Sequence, residues 1–218
     1  MTTAHDWSRF ISENTRLLAP PLVPEIRLHL AEESLPIWRK TEEELGEMNV
    51  PPPYWAFAWA GGQALARYLL DQPHLVAGRR VLDLGSGSGL TAVAAMKAGA
   101  SDVLAADIDA VSLEAACLNA EVNGVRIATT SHDLLAGGPA AEWNVVLVGD
   151  LFYERTLADR VTAYIDAAAA KGALILIGDP GRSYFPKDRF AKVAEYRVAV
   201  TRELEDAEIK LTAVWRLG

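Results

Sequence analysis

From Val81 onward the chain alternates two hydrophobic patterns. Short unbroken apolar runs such as Ala173–Ile177 suit strands buried on both faces of a parallel sheet. Between them lie longer segments whose apolar residues return every three or four positions, as helices packed on a sheet require. Strands are predicted at Arg80–Leu84, Asp102–Ala106, Val125–Thr129, Asn144–Val148 and Ala173–Ile177. Helices are predicted at Leu90–Ala98, Asp109–Asn123 and Glu154–Ala170, with Gly99 and Gly124 placed to stop the first two. Alternation at this spacing predicts an α/β fold. After Gly178 the pattern changes. A loop with Pro180, Gly181 and Pro186 and a short helix near Lys187–Ala191 precede two strands, Val193–Thr201 and Glu208–Arg216. Only polar Arg202–Asp206 separates these strands, so they read as an antiparallel hairpin. The expected architecture is a Rossmann-like, seven-stranded sheet, mostly parallel, closed by an antiparallel C-terminal hairpin.

Residues 1–53 follow a different pattern. His5–Leu17 and Ser34–Leu45 read as short amphipathic helices, separated by Pro20, Pro21 and Pro24 and by a short strand or turn at Ile26–Ala31. Pro51-Pro52-Pro53 is stiff and extended. It sets the expected boundary between a small helical N-terminal extension, residues 1–53, and a main domain, residues 54–218. The aromatic block Tyr54–Trp59 leads into a helix ending near Leu70. Tyr54 and Phe57 are expected to pack in the core. Trp59 stands beside Gly61-Gly62, where small residues leave room for a ligand against the indole.

Composition removes several classes of function. A net charge of −8 lacks the basic face that nucleic-acid binding needs. Cys117 is the single cysteine, so there is no internal disulfide and no cysteine-based zinc cluster. One mid-helix cysteine reads as a small core residue in a reducing, intracellular setting. The four histidines show no ligand spacing, and no metal is expected. No apolar run approaches the about 18 residues of a membrane span. Met1–Phe10 lacks the apolar core of a signal peptide, so a cytoplasmic location is expected.

The chemistry concentrates at the ends of the predicted strands. Val81–Leu90 reads as a buried strand running into a glycine turn and then a helix, with glycines at 85, 87 and 89. Such a turn lets a ligand approach the main chain closely. The third glycine of a dinucleotide fingerprint is replaced by Leu90, and no Gly-Lys-Ser/Thr follows, which excludes a P-loop. What remains is Asp83-x-Gly85-x-Gly87-x-Gly89, an acid ahead of a glycine turn. S-adenosylmethionine (SAM) carries an ammonium group and no phosphate, and this arrangement suits it. Asp107 ends the second strand, where a carboxylate accepts hydrogen bonds from both ribose hydroxyls, while Asp109 caps the next helix. Asp133 follows the third strand, where an adenine amino group would be held, and His132 beside it is expected to face solvent. Asp150 and Tyr153 follow the fourth strand in Gly149-Asp150-Leu151-Phe152-Tyr153. A carboxylate and an aromatic ring there can hold an acceptor amine and stabilise developing positive charge. Asp150 and Tyr153 are therefore the candidate catalytic residues.

Several blocks together resemble the electron-transfer flavoprotein β-subunit lysine methyltransferases, which are class I, seven-β-strand SAM-dependent enzymes. They are Pro53–Leu70 with its Trp-Ala-Gly-Gly-Gln core, Val81–Gly87, Asp107-Ile108-Asp109, Gly149–Tyr153 and Ile177-Gly178-Asp179-Pro180-Gly181-Arg182. The resemblance covers roughly residues 50–218. It implies methyl transfer to lysines of the flavoprotein β-subunit, with S-adenosylhomocysteine (SAH) as product. Carried over by position, it implies that Asp83, Gly85, Gly87 and Asp107 bind cofactor and that Trp59 packs near it. Asp150 and Tyr153 would line the lysine entrance. Animal members carry mitochondrial targeting peptides; this chain shows none and is expected to be a bacterial-type member. The alternatives are a small-molecule amine or pyridine N-methyltransferase, or a ribosomal protein L11-type methyltransferase. The latter has a separate recognition domain that 53 leading residues can hardly supply. A non-catalytic SAM-binding module would not need all three of glycine turn, ribose acid and Asp150.

Overall fold

The computed structural model describes residues 7–32, 53–139, 143–200 and 209–217. The helix expected at Ser34–Leu45 lies outside them. Helix α1 (Trp7–Asn14) turns Ile11 fully inward. It is followed by an antiparallel pair, β1 (Arg16–Leu18) and β2 (Leu28–Leu30). Leu28 and Leu30 are buried and flank half-buried His29, a period of two that makes this stretch a strand. The leading segment thus holds a hairpin as well as a helix. Its Val23, Ile26 and Leu28 share one apolar cluster with the main sheet.

The main body runs α2 (Ala60–Asp71), β3 (Arg80–Leu84), α3 (Leu90–Lys97), β4 (Asp102–Ala106), α4 (Ala110–Val122) and β5 (Ala128–Thr130). Then come α5 (Leu134–Gly137), β6 (Val145–Gly149), α6 (Arg155–Ala170), β7 (Leu174–Asp179), β8 (Phe190–Ala199) and β9 (Ile209–Leu217). Seven strands form one sheet in the order β5-β4-β3-β6-β7-β9-β8, parallel except for the two pairings of β9. Both faces are covered, which is why β6 is apolar throughout and β3 buries only one polar side chain, Asp83. Val81, Val145 and Leu147 pack with α2 and α3, whereas Leu82, Val146 and Val148 pack with Val161 and Ile165 of α6.

Element limits differ from expectation where a neighbour decides them. The third parallel strand is shorter than Val125–Thr129, because β5 is an edge strand with partners only from Ala128 to Thr130. Strand β7 runs on to Asp179 because β9 supplies a partner that far. The short helix expected near Lys187–Ala191 is a single turn, Lys187–Arg189, since Phe190 already pairs with Leu217. Tyr54 is half exposed rather than in the core. The turn Tyr54–Ala56 instead sends Trp55 inward against Ile11 and Val111. The parallel strands β3, β4, β5, β6 and β7 all end at one edge. The chain reverses its direction of travel between β3 and β6, and a ligand crevice forms at such a switch point.

Candidate active site

At the end of β3, Asp83 points away from that crevice. Its side chain is buried, accepts from the Thr91 hydroxyl at 2.6 Å and from the Ala92 N–H at 3.0 Å, and so ties the strand to the first turn of α3. Burial pushes its carboxyl up to about 6 against those two hydrogen bonds. Gly85, Gly87 and Gly89 all lie in the left-handed region. A Cβ at Gly89 would sit 2.8 Å from that of Ala116, so this glycine lets α3 start against α4. Asp83 and Gly89 therefore shape the turn from behind, and Gly85 and Gly87 line the cavity in front of it.

Asp107 lies at the end of β4 and lines the same cavity. One carboxylate oxygen accepts from the Gly87 N–H at 2.9 Å and the other from the Asp109 N–H at 3.0 Å. Each oxygen keeps a second lone pair for a ligand hydroxyl. Burial, opposed by these bonds, raises its pKa, and the charge of Asp109 adds to the rise. Asp109 caps α4 through Val111 and Ser112, as expected. After β5, Asp133 caps the short helix α5, which the sequence did not predict, and pairs with Arg160 at 2.5 Å. That guanidinium holds its exposed carboxyl below the ordinary value. His132 is exposed at the cavity rim, also as expected.

On the other side of Gly85, β6 delivers Asp150 in a left-handed conformation, φ 58°, which costs a non-glycine residue energy and is held only by its surroundings. Those surroundings are specific. Its backbone N–H donates to Gly178 O at 3.1 Å, and its Oδ2 accepts from the Gly62 N–H at 3.0 Å, in the first turn of α2. Gly61 and Gly178 cross so closely that a Cβ on Gly61 would stand 2.2 Å from the Gly178 oxygen and 2.5 Å from Asp150 Oδ2. The Asp150 Oδ1 accepts from Arg182 Nη2 at 2.8 Å and Nε at 3.2 Å. That guanidinium also lies 5.7 Å from the centre of the Trp59 ring. Tyr153 stands half exposed with its ring 6.2 Å from that of Tyr54. Burial raises its hydroxyl pKa. Phe152 between them is fully buried and packs edge-on against Phe185.

Gly85, Gly87, Asp107, Asp150, Tyr153 and Arg182 line one cavity of about 600 Å³, within the range of small-ligand sites. Strand order sets its layout. Asp133 and Asp107 lie on the β5–β4 side, Gly85 and Gly87 in the middle, and Asp150, Tyr153 and Trp59 on the β6–β7 side. SAM fits this donor set. Asp107 has two free lone pairs for vicinal hydroxyls, Ile108 and Leu134 offer apolar wall for a flat heterocycle, and the glycines leave the middle open. Asp83 does not line the cavity, and each of its oxygens takes a hydrogen bond inside the fold. Arg182 is the site residue that sequence reasoning did not assign. The Gly178–Arg182 loop was distinctive, but only the sheet order places it against Asp150.

Residues 63–176 match the family model described as ribosomal protein L11 methyltransferase (PrmA). The electron transfer flavoprotein beta subunit lysine methyltransferase of Xenopus laevis is 39% identical over 213 residues, covering 94% of this chain and 85% of that protein. The protein of the same name from Homo sapiens is 37% identical over 212 residues, covering 94% and 80%. A crystal structure of a ribosomal protein L11 methylase from Lactobacillus delbrueckii subsp. bulgaricus superposes with a TM-score of 0.50 at 25% identity, over 71% of this chain and 78% of that one. The glycine turn, the acid after β4 and the Asp150 loop thus stand in a methyltransferase fold, and the chain belongs to the electron transfer flavoprotein β subunit lysine methyltransferase family.

Proposed function

We propose that this protein transfers methyl groups from SAM to lysine side chains of the electron-transfer flavoprotein β-subunit. The observation that carries the reading is the setting of Asp150. A strained, fully positioned carboxylate stands beside two aromatic rings at the end of the cavity away from Asp107. SAM would supply an electrophilic methyl group on a sulfonium. Asp107 would accept its ribose hydroxyls, Ile108 and Leu134 would cover its base, and Asp133 would lie near the adenine amino group. Gly85 and Gly87 would run along it, and Trp59 would pack near the sulfonium end. Asp150 would accept an N–H of the acceptor amine and so orient its lone pair toward the methyl group. Tyr54 and Tyr153 would enclose the apolar stem of the lysine and exclude water. Metal, nucleic acid and membrane have no part in this chemistry. A single cysteine suits a reducing, cytoplasmic setting.

Incubation with methyl-labelled SAM and purified β-subunit is expected to label lysine. Asp150→Ala is expected to abolish labelling while SAH affinity stays within about threefold, since Asp107 is untouched. No lysine labelling, in protein shown by calorimetry to bind SAH, would reject the substrate. Label on a free amine or on ribosomal protein L11 would redirect it.

A further inference from the structure

We propose that Arg182 is a positioning residue that fills the cation subsite of the cavity, so that the acceptor amine enters in its neutral form. This rests on the reading of Asp150 as the group beside the acceptor nitrogen. A carboxylate next to an indole face is what a protonated or methylated amine seeks. Here the guanidinium of Arg182 already occupies that place, bonded twice to Asp150 and lying over Trp59.

The loop is built to hold it there. Asp179, at the end of β7, is buried, and its Oδ1 accepts from the backbone N–H groups of Gly181 at 2.7 Å and Arg182 at 2.8 Å. Its Oδ2 is buried without a hydrogen-bond partner among the described residues. Gly181 takes the left-handed turn, φ 93°, that sends the chain back over the cavity.

The charges lining the cavity give the reason. The titratable groups at this end are Asp150, Arg182, Tyr54 and Tyr153, with Asp179 behind the loop, and the charges of Asp107 and Glu154 also act on Tyr153; Asp109, His132, Asp133 and Arg160 line the rest of the cavity. A lysine ammonium, with an ordinary pKa of about 10.4, has no lone pair with which to attack. An Asp150 carboxylate without a cationic partner would hold lysine in that unreactive form. Paired with Arg182 the site is locally neutral, and the guanidinium repels the ammonium while leaving Asp150 able to accept an amine N–H.

The test uses n-butyltrimethylammonium, a permanent cation, titrated calorimetrically into protein saturated with SAH. Wild type is expected to bind it weakly. Arg182→Gln is expected to bind it about tenfold more tightly, because Asp150 loses its cationic partner, and Arg182→Lys should stay as weak as wild type. Equal or weaker binding by Arg182→Gln overturns the proposal. With the β-subunit as acceptor, the acid limb of kcat should move to higher pH by about one unit in Arg182→Gln and return in Arg182→Lys. A uniform loss of rate with the limb unmoved also overturns it. If wild type binds SAH but leaves the β-subunit unlabelled, the substrate reading fails, and the cation titration still decides the role of Arg182.

Discussion

Gly61 and Gly62 are adjacent in the first turn of α2 and should respond oppositely to the same methyl group. A Cβ at Gly61 meets the Gly178 carbonyl oxygen at 2.2 Å and Asp150 Oδ2 at 2.5 Å. Both partners are fixed, one as strand backbone and the other by the Gly62 N–H and Arg182. Separating the backbones to an ordinary contact requires a shift of roughly 1 Å, and overpacking of this kind costs about 1–3 kcal/mol. For a chain of this size each kcal/mol lowers Tm by about 2–4 °C, so Gly61→Ala should melt about 2–12 °C below wild type. The same methyl group drives the Asp150 carboxylate off Gly62. A 1 Å misplacement of a catalytic group can cost about a hundredfold in rate, so methyl transfer should fall at least tenfold. SAH affinity, which the proposed cofactor site assigns to Asp107 and Gly87 across the cavity, should hold within about threefold. At Gly62 the nearest neighbour of a Cβ is Leu90 Cδ2 at 3.9 Å, an ordinary contact. Alanine in a helix is better than glycine by about 0.5–1 kcal/mol, so Gly62→Ala should melt at or above wild type and remain active. Differential scanning calorimetry, SAH titration and the labelling assay read all three quantities. If the two variants melt alike, or Gly61→Ala keeps full transfer, the crossing at Gly178 does not position Asp150 and the reasoning is wrong.

Two further outcomes follow from other parts of the site. If Asp107 holds the ribose as proposed, Asp107→Ala removes two charge-assisted hydrogen bonds, each worth about 1.5–3 kcal/mol, and should weaken SAH binding by at least about tenfold in calorimetry. Unchanged affinity would remove Asp107 from the cofactor site. Asp83 is pushed up to about 6 by burial, above its unfolded value of about 3.9. The folded protein therefore holds this proton more tightly, and the stability it contributes is complete below about pH 4 and lost as pH rises to about 6. The whole swing is about 3 kcal/mol. Asp83→Asn can still accept from Ala92 N–H and donate to the Thr91 hydroxyl. Relative to wild type it should gain stability across that window, measured by urea unfolding at pH 4, 5, 6 and 7. A constant difference between the two proteins would show that Asp83 does not titrate there.

Much of the fold was legible because its signals are local. β3 and β4 have the limits that their apolar runs predict, and Asp109, with no apolar role, caps α4 as its position implies. The glycine turn and the acid after β4 could be located from spacing alone, since a strand, its turn and the next helix are contiguous. Other assignments depended on partners distant in the chain. Asp83 faces α3 because of its parity in β3, so it braces the turn from inside and takes no place in the cavity. Trp55 is buried and Tyr54 open because α1 and α4 close over one side of that turn. Composition and periodicity describe each segment by itself and say nothing about which strand ends meet. The order β3-β6-β7 brings Gly61, Asp150, Gly178 and Arg182 together from three segments. Sequence determined most elements of the main sheet, the glycine turn and the places of the acids at the strand ends. Tertiary structure decided that Asp150 is held in a strained conformation and paired with Arg182, because only the sheet order brings those backbones and charges within reach of each other.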